Sequence, residues 1–264
     1  MKQRYFLAKK WVLHAGELLK AATQKPFDFS TKTGHQDIVT AFDKEVERFF
    51  RSKIGAHFPD DRIVGEEYAP SENASPEITW YIDPVDGTTN FVNFRKNFAV
   101  SVGCYWKDVP QFSFVYDVIG GNLFSAFAGE GAYKNDEKLG TQPSVAEFGK
   151  MILSVPNVQD AFWRGYPWQD SMLRLADQVR AVRCLGSVAL ELCAVAEGTV
   201  DIFAAMRSAP WDHNGARLIL LESGCRICGL GREDLPTDRE CSVFACRNET
   251  IFQQLKDSYG FCET

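Results

Sequence analysis

The residues best placed to do chemistry fall in one short stretch, Thr79-Trp80-Tyr81-Ile82-Asp83-Pro84-Val85-Asp86-Gly87-Thr88-Thr89-Asn90-Phe91. An apolar, β-prone run ends in two carboxylates and passes straight into Gly-Thr-Thr. This order sets acids at the mouth of a strand, with hydroxyls and bare backbone N–H groups just beyond them. Carboxylates in such a place hold hard cations such as Mg²⁺, and a Gly-Thr turn that opens a helix offers N–H donors to an anion. A cation and a phosphate in one turn point to metal-assisted phosphoryl chemistry. Pro84 fixes φ and Gly87 permits close approach of other backbone, so the turn has a specified shape.

Further acids stand at the ends of predicted elements. Glu66-Glu67 follows Ile63-Val64-Gly65, Asp212 lies in Pro210-Trp211-Asp212-His213, and Asp43 on a predicted helix is a possible outer member. Any one of them alone reads as a helix cap or turn residue; their number and placement carry the argument. An EF-hand needs acids at alternate positions and a later Glu, which Asp-x-x-Asp-Gly does not supply. An aspartyl-phosphate phosphatase of the haloacid dehalogenase type would show Asp-x-Asp-Gly-Thr, and the extra residue here moves the second Asp off its partner. Gly229-Leu230-Gly231 lacks the third glycine of a dinucleotide loop, and no GxxxxGK[ST] occurs.

The elements that must position these groups are legible from periodicity. Ala8, Val12, Ala15, Leu19 and Ala22 predict an amphipathic helix over about residues 3–24, and Val39, Phe42, Val46, Phe49, Phe50 and Ile54 a second over about 38–56. Residues 24–36 between them predict a loop or short hairpin. Strands are expected at 62–65, 79–83, 98–106, 111–117 and 122–128, the later ones as an antiparallel meander. From about residue 145 the pattern becomes alternating. Strands at 151–155, 181–185, 201–205 and 226–229 interleave with helices at 168–180, 187–197 and 212–224, and a last helix covers about 249–258. Two halves of one compact unit, 1–145 and 146–264, are expected to meet in layers. Aromatic residues Phe49, Phe50, Phe91, Phe94 and Phe98 are assigned to the core.

Composition narrows the function classes. The 264 residues are 45% hydrophobic and carry a net charge of −6, enough apolar material for a sizeable core and the wrong sign for bulk nucleic-acid binding. An acidic protein with an anionic substrate needs local positive charge, which metal ions supply. Lys9 and Lys10 interrupt any apolar leader, and no run approaches a membrane span. Eight scattered Cys suit cytosolic thiols, so a cytoplasmic location is expected. Cys225-Arg-Ile-Cys228 and Cys241/Cys246 fit thiols better than a zinc site, since no turn residues separate the first pair.

At this point the residues carry a family resemblance. Gly65-Glu66-Glu67, the run from Ile82 to Phe91, and Trp211-Asp212 resemble the three signatures of the inositol monophosphatase family, Mg²⁺-dependent and lithium-sensitive phosphomonoesterases. Asp37-Ile-Val-Thr40-Ala-Phe-Asp43 is similar to the family's second-helix motif, and Gly186-Ser187-Val-Ala-Leu to its substrate-side helix start. The resemblance implies an α+β fold, an α/β/α/β/α sandwich of the inositol monophosphatase and fructose-1,6-bisphosphatase type, and a homodimer. It implies two or three Mg²⁺ ions with Li⁺ inhibitory. Glu66, Asp83 and the Val85 carbonyl would hold the first ion, Asp83, Asp86 and Asp212 the second, and Glu67 a weaker one through water. Thr88, backed by Asp43, would help activate water, with Glu66 also counted as catalytic, and Lys32 would lie near a mobile metal loop. Gly87 and Thr88 would grip the phosphate, with Gly186, Ser187 and Asp212 on the substrate side.

One position departs from the inositol-specific pattern. The polyol-binding Glu expected seven residues before Asp212 is Ala205, which accepts no hydrogen bond. The substrate expected is thus a small phosphorylated metabolite, with 3′-phosphoadenosine phosphate, fructose 1,6-bisphosphate or NADP as alternatives to inositol phosphate. An interaction protein with vestigial activity is the rival from another class. Arg207 is a candidate for a second anionic group, and His213 for a helix-start cap or a partner of Asp212.

Overall fold

The computed structural model describes residues 1–26, 28–31, 38–71, 77–140 and 147–261. Lys32, Asp37 and the expected boundary at 145 lie outside the described residues, as does part of the 24–36 segment.

Two helices form the first outer layer. In α1 (Lys2–Ala22), Ala8, Trp11, Val12, Ala15, Leu19 and Ala22 are buried, the three-and-four spacing of a one-sided apolar stripe. A short antiparallel pair, β1 (Phe29–Thr31) with β2 (Ile38–Thr40), precedes α2 (Ala41–His57). That helix starts three residues later than the periodicity suggests, because Thr40 is its cap: the Thr40 Oγ1 accepts from Phe42 N at 3.1 Å and Asp43 closes a capping box.

Both helices pack on a seven-stranded sheet. Its strands are β3 (Arg62–Gly65), β4 (Ile78–Asp86), β5 (Ala99–Trp106), β6 (Val109–Asp117), β7 (Asn122–Phe127), β8 (Gly131–Lys134) and β9 (Glu137–Lys138), in sequence order across the sheet. β3 runs parallel to β4; the rest form the expected antiparallel meander. α3 (Thr88–Asn93) leaves β4 at the Gly87 turn. Alternation along the strands sorts side chains between layers. Trp80, Ile82, Val100, Val102 and Cys104 face the α1/α2 core, while Ala99, Ser101 and Gly103 line the other face of β5. These small residues let a helix approach: a Cβ on Gly103 would come within 2.6 Å of the Asn214 carbonyl oxygen.

That helix is α7 (Pro210–Glu222), which with α6 (Val188–Glu197) fills the layer between the two sheets. The second sheet contains β10 (Ile152–Ser154), β11 (Ala181–Arg183), β12 (Ile202–Ser208), β13 (Arg226–Cys228) and β14 (Cys241–Cys246), ordered β11-β10-β12-β14-β13. Helices α4 (Val158–Phe162), α5 (Gln169–Gln178) and α8 (Glu249–Tyr259) cover its outer face through Met172, Leu175, Phe252 and Leu255. The layers therefore read α/β/α/β/α, as expected. Among the described residues no helix is long and apolar enough to cross a membrane.

Besides the later start of α2, the short elements α4, β8 and β9 are not among those expected, and two further differences have a plain cause. β14 is absent from the sequence expectation, because Cys241-Ser-Val-Phe-Ala-Cys246 lies between two strands and is covered on both faces, which erases the period of two. Phe94 is 63% exposed rather than core, since the chain leaves α3 there and turns outward. Cys225 and Cys228 are both buried, but in different cores, one on each side of the second sheet.

Candidate metal and phosphate site

A β-bulge places the two central acids together. Asp83 pairs with Ser101 and Asp86 with Ala99, so three steps along β4 match two along β5. A regular strand would send residues three apart to opposite faces. The extra residue restores Asp83 and Asp86 to one face, that of α6 and α7. Gly87 then turns the chain at φ +91°, and a Cβ there would meet the Gly186 carbonyl oxygen at 3.0 Å.

Each acid has its own anchor. The Asp83 Oδ1 accepts from Val85 N at 3.0 Å. Asp86 reaches across to the start of α6, where its Oδ2 accepts from Ser187 Oγ and from Ala189 N at 2.9 Å, and its Oδ1 from Val188 N at 3.1 Å. Asp212 sits at the start of α7 and accepts from Ala209 N at 2.7 Å. Two helix N-termini thus favour negative charge on these side chains. Glu66 and Glu67 follow β3 at its last residue, Gly65. There the buried Glu47 carboxylate fills the space of a Cβ and accepts from Glu67 N at 2.6 Å.

The acids share one electrostatic neighbourhood. Burial first, then Glu66, Asp86 and Asp212, holds the Asp83 carboxyl well above the usual carboxylate range. Asp212 is raised by burial and then by Asp86 and Glu66. Burial pushes Asp86 up to about 6 against the pull of its α6 donors. Among the described residues no three acidic, His or Cys side chains are already gathered about one point; like charges repel at this range, and Asp83, Asp86 and Asp212 are each tied to donors of their own. The donor set is oxygen only and strongly anionic, which fits a hard divalent cation.

Beside these acids runs a hydroxyl–carboxylate pair. The Thr88 Oγ1 lies 3.1 Å from both Asp43 Oδ1 and the Val85 carbonyl oxygen, and donates towards them. Asp43 Oδ2 accepts from Thr40 N at 2.8 Å and Thr40 Oγ1 at 2.5 Å, and burial raises its carboxyl.

Three positioning residues escape sequence inspection. Glu47 stands one turn after Asp43 and is also gripped by Arg51 at 2.7 Å; the Asp43/Glu47/Arg51 spacing was the available signal. Asn90 lies inside the central motif, and its Nδ2 donates to Asn97 O at 2.8 Å and Leu185 O at 2.6 Å. Glu191 on α6 has no distinguishing sequence context. Ala205 lies on β12 within the inter-sheet core. Arg207 is held by Glu240 through two bonds of 3.0 Å, so a second anionic group would have to displace a carboxylate.

His213 is fully buried. Its Nε2 donates to the Pro236 carbonyl oxygen at 3.3 Å, leaving Nδ1 to accept from Ser208 Oγ at 3.0 Å. Burial pushes its pKa down to about 4, against about 6.5 in an unfolded chain. The site therefore contributes stability above pH 6.5 that is lost as pH falls towards 4, on the order of 3 kcal/mol in all. His213→Gln is expected to flatten the fall in melting temperature over that window; equal slopes for variant and wild type would refute this.

The five-layer fold sets acids at the starts of two inter-sheet helices, an arrangement suited to a divalent cation beside a phosphate. The inositol monophosphatase family model matches residues 1–258, and the chain belongs to that family. The inositol-1-monophosphatase of Bacillus subtilis (strain 168) is 37% identical over 253 residues, 94% of each chain. Inositol monophosphate-bound SaIMPase-II has a TM-score of 0.84 at 28% identity, covering 98% of this chain and 93% of that one. The 2′AMP-bound form of SaIMPase-II gives 0.85 at 29% identity, covering 98% and 94%.

Proposed function

We propose that the chain hydrolyses a small phosphate monoester by direct attack of water, with Mg²⁺ held by Glu66, Asp83, the Val85 carbonyl, Asp86 and Asp212, and a further, weaker ion near Glu67. The single observation that carries this is the four-carboxylate neighbourhood beside the Thr88–Asp43 pair. Bound Mg²⁺ would lower the pKa of a coordinated water and draw charge from the departing ester oxygen. Thr88 donates its hydroxyl proton towards Asp43, so its lone pairs accept from the attacking water and aim it. As the water oxygen bonds to phosphorus, its proton passes through Thr88 Oγ to the raised Asp43 carboxylate. The P–O ester bond breaks, the leaving alcohol takes a proton from solvent, and Asp43 returns the proton it received to solvent, so that none is gained or lost overall. Gly87 and Thr88 N–H groups would hold the phosphoryl oxygens, and Gly186 and Ser187 the substrate side. Two or three ions, inhibition by Li⁺, a homodimer and a cytoplasmic location belong to the same proposal.

For the substrate we infer a nucleoside 2′-phosphate such as 2′-AMP ahead of inositol phosphate. Ala205 offers no acceptor to a polyol, and a buried hydroxyl left unpaired costs about 1–3 kcal/mol. SaIMPase-II, bound to 2′AMP in one structure and to inositol monophosphate in another, supports a pocket of this fold accepting both. A panel of inositol 1-phosphate, 2′-AMP, 3′-phosphoadenosine phosphate, fructose 1,6-bisphosphate and NADP, each with Mg²⁺ and with chelator, tests it. Expected is Mg²⁺-dependent phosphate release with kcat/KM for 2′-AMP at least about fivefold above that for inositol 1-phosphate, the low end of that range. A clear win for the inositol ester would sink the substrate assignment, and phosphate release undiminished by chelator would sink the metal.

A further inference from the structure

A second buried carboxylate lies behind Asp86. Glu191, on the first turn of α6, is fully buried. Its Oε2 accepts from Ser154 Oγ on β10 at 2.6 Å. Its Oε1 accepts from Leu185 N at 3.0 Å and Gly186 N at 2.8 Å. All three donors are neutral, and burial pushes the carboxyl up to about 7. A carboxylate so placed is a costly way to hold a turn, since an amide or apolar side chain would avoid most of the desolvation.

What the turn carries accounts for that cost. Leu185-Gly186-Ser187 leads directly into the three donors that converge on Asp86. The same turn is clamped from the other side by Asn90, which donates to Leu185 O. Gly186 stands at φ +75°, and its carbonyl oxygen packs against Gly87. Rotation of the Leu185–Gly186 peptide would therefore shift the start of α6 relative to Asp86. The donors are also unevenly divided, two on Asp86 Oδ2 and one on Oδ1, so Oδ1 is the oxygen with a lone pair to spare.

We propose that Glu191 is a positioning residue for the cation site: it fixes the Leu185 and Gly186 amides so that α6 saturates Asp86 Oδ2 and leaves Oδ1 aimed at a divalent cation. Ser154 orients Glu191 in turn, so the second sheet sets cation affinity without touching substrate. This rests on Asp86 being a cation ligand, and the test separates the two ideas.

Mg²⁺ binding to the metal-free protein is titrated calorimetrically at one temperature, and the melting temperature is recorded at each Mg²⁺ concentration, for wild type, Glu191→Gln, Ser154→Ala and Asp86→Asn. The half-saturating Mg²⁺ concentration is expected to rise about tenfold or more in Glu191→Gln, as for other residues that orient a metal ligand, and by a smaller factor in Ser154→Ala. A variant that only loses packing would melt lower at every Mg²⁺ concentration with an unchanged half-saturation point. That result for Glu191→Gln, with Asp86→Asn weakening Mg²⁺, overturns this inference alone. An unchanged half-saturation point in Asp86→Asn overturns the ligand assignment beneath it. Should Glu191→Gln not fold, Ser154→Ala decides, and an unshifted point there overturns the inference.

Discussion

Asp86→Asn is expected to lower kcat/KM by about three orders of magnitude or more, roughly 4 kcal/mol of transition-state stabilisation, in a chain that stays folded. The two effects have different origins. Asn keeps one acceptor oxygen but turns an NH₂ group towards the α6 donors, which costs about 1–3 kcal/mol of stability for a lost buried bond. Removing a buried charge that sits among Asp83, Glu66 and Asp212 offsets part of that loss. The catalytic loss has no such offset, because the neutral side chain weakens both cation binding and the clamp on developing charge. Steady-state rates at several Mg²⁺ concentrations, with circular dichroism and a melting curve, separate the terms. A variant that retained more than about a tenth of the activity, a loss under ~1.4 kcal/mol, would remove Asp86 from the site.

Thr88→Ala should lower kcat by about 10²- to 10⁴-fold, the usual range for a positioned proton-transfer group, with a much smaller change in KM. Thr88 Oγ1 is tied to Asp43 and the Val85 carbonyl, and the proposed role is to aim water rather than anchor substrate. Its loss leaves Asp43 still capped by Thr40, so the local fold should survive. Thr88→Ser keeps the hydroxyl and should restore most of the rate. A rise in KM with kcat unchanged would make Thr88 a binding residue, and a trapped phosphoprotein intermediate would contradict direct attack by water.

Much of this architecture was legible in the sequence, for physical reasons that also explain the gaps. Single-faced helices such as α1 and α2 announce themselves because one stripe is buried and the rest is wet. The Asp83–Phe91 run is readable because a bulge, a left-handed glycine and a helix start each constrain residue type. β14 was not readable, since burial on both faces leaves only a short apolar run. Glu191 could not be singled out, and Glu47 only by its spacing to Asp43 and Arg51, because their roles depend on donors the fold brings up, the Glu67 amide to one and the Ser154 hydroxyl, 37 residues away, to the other. Arg207 shows the converse: a cation near the site in sequence is already held by Glu240, a partner 33 residues away.

Glu66, Asp83, Asp86 and Asp212 are proposed to hold divalent cations together. Crystals grown without metal and soaked in Mn²⁺, an octahedral oxygen-preferring substitute for Mg²⁺, test this through the anomalous difference map. Peaks are expected within ligand distance of Asp83, shared with Glu66 on one side and with Asp86 and Asp212 on the other. A map with no peak there at Mn²⁺ concentrations that support phosphate release, or with its peaks elsewhere on the chain, would contradict this assignment.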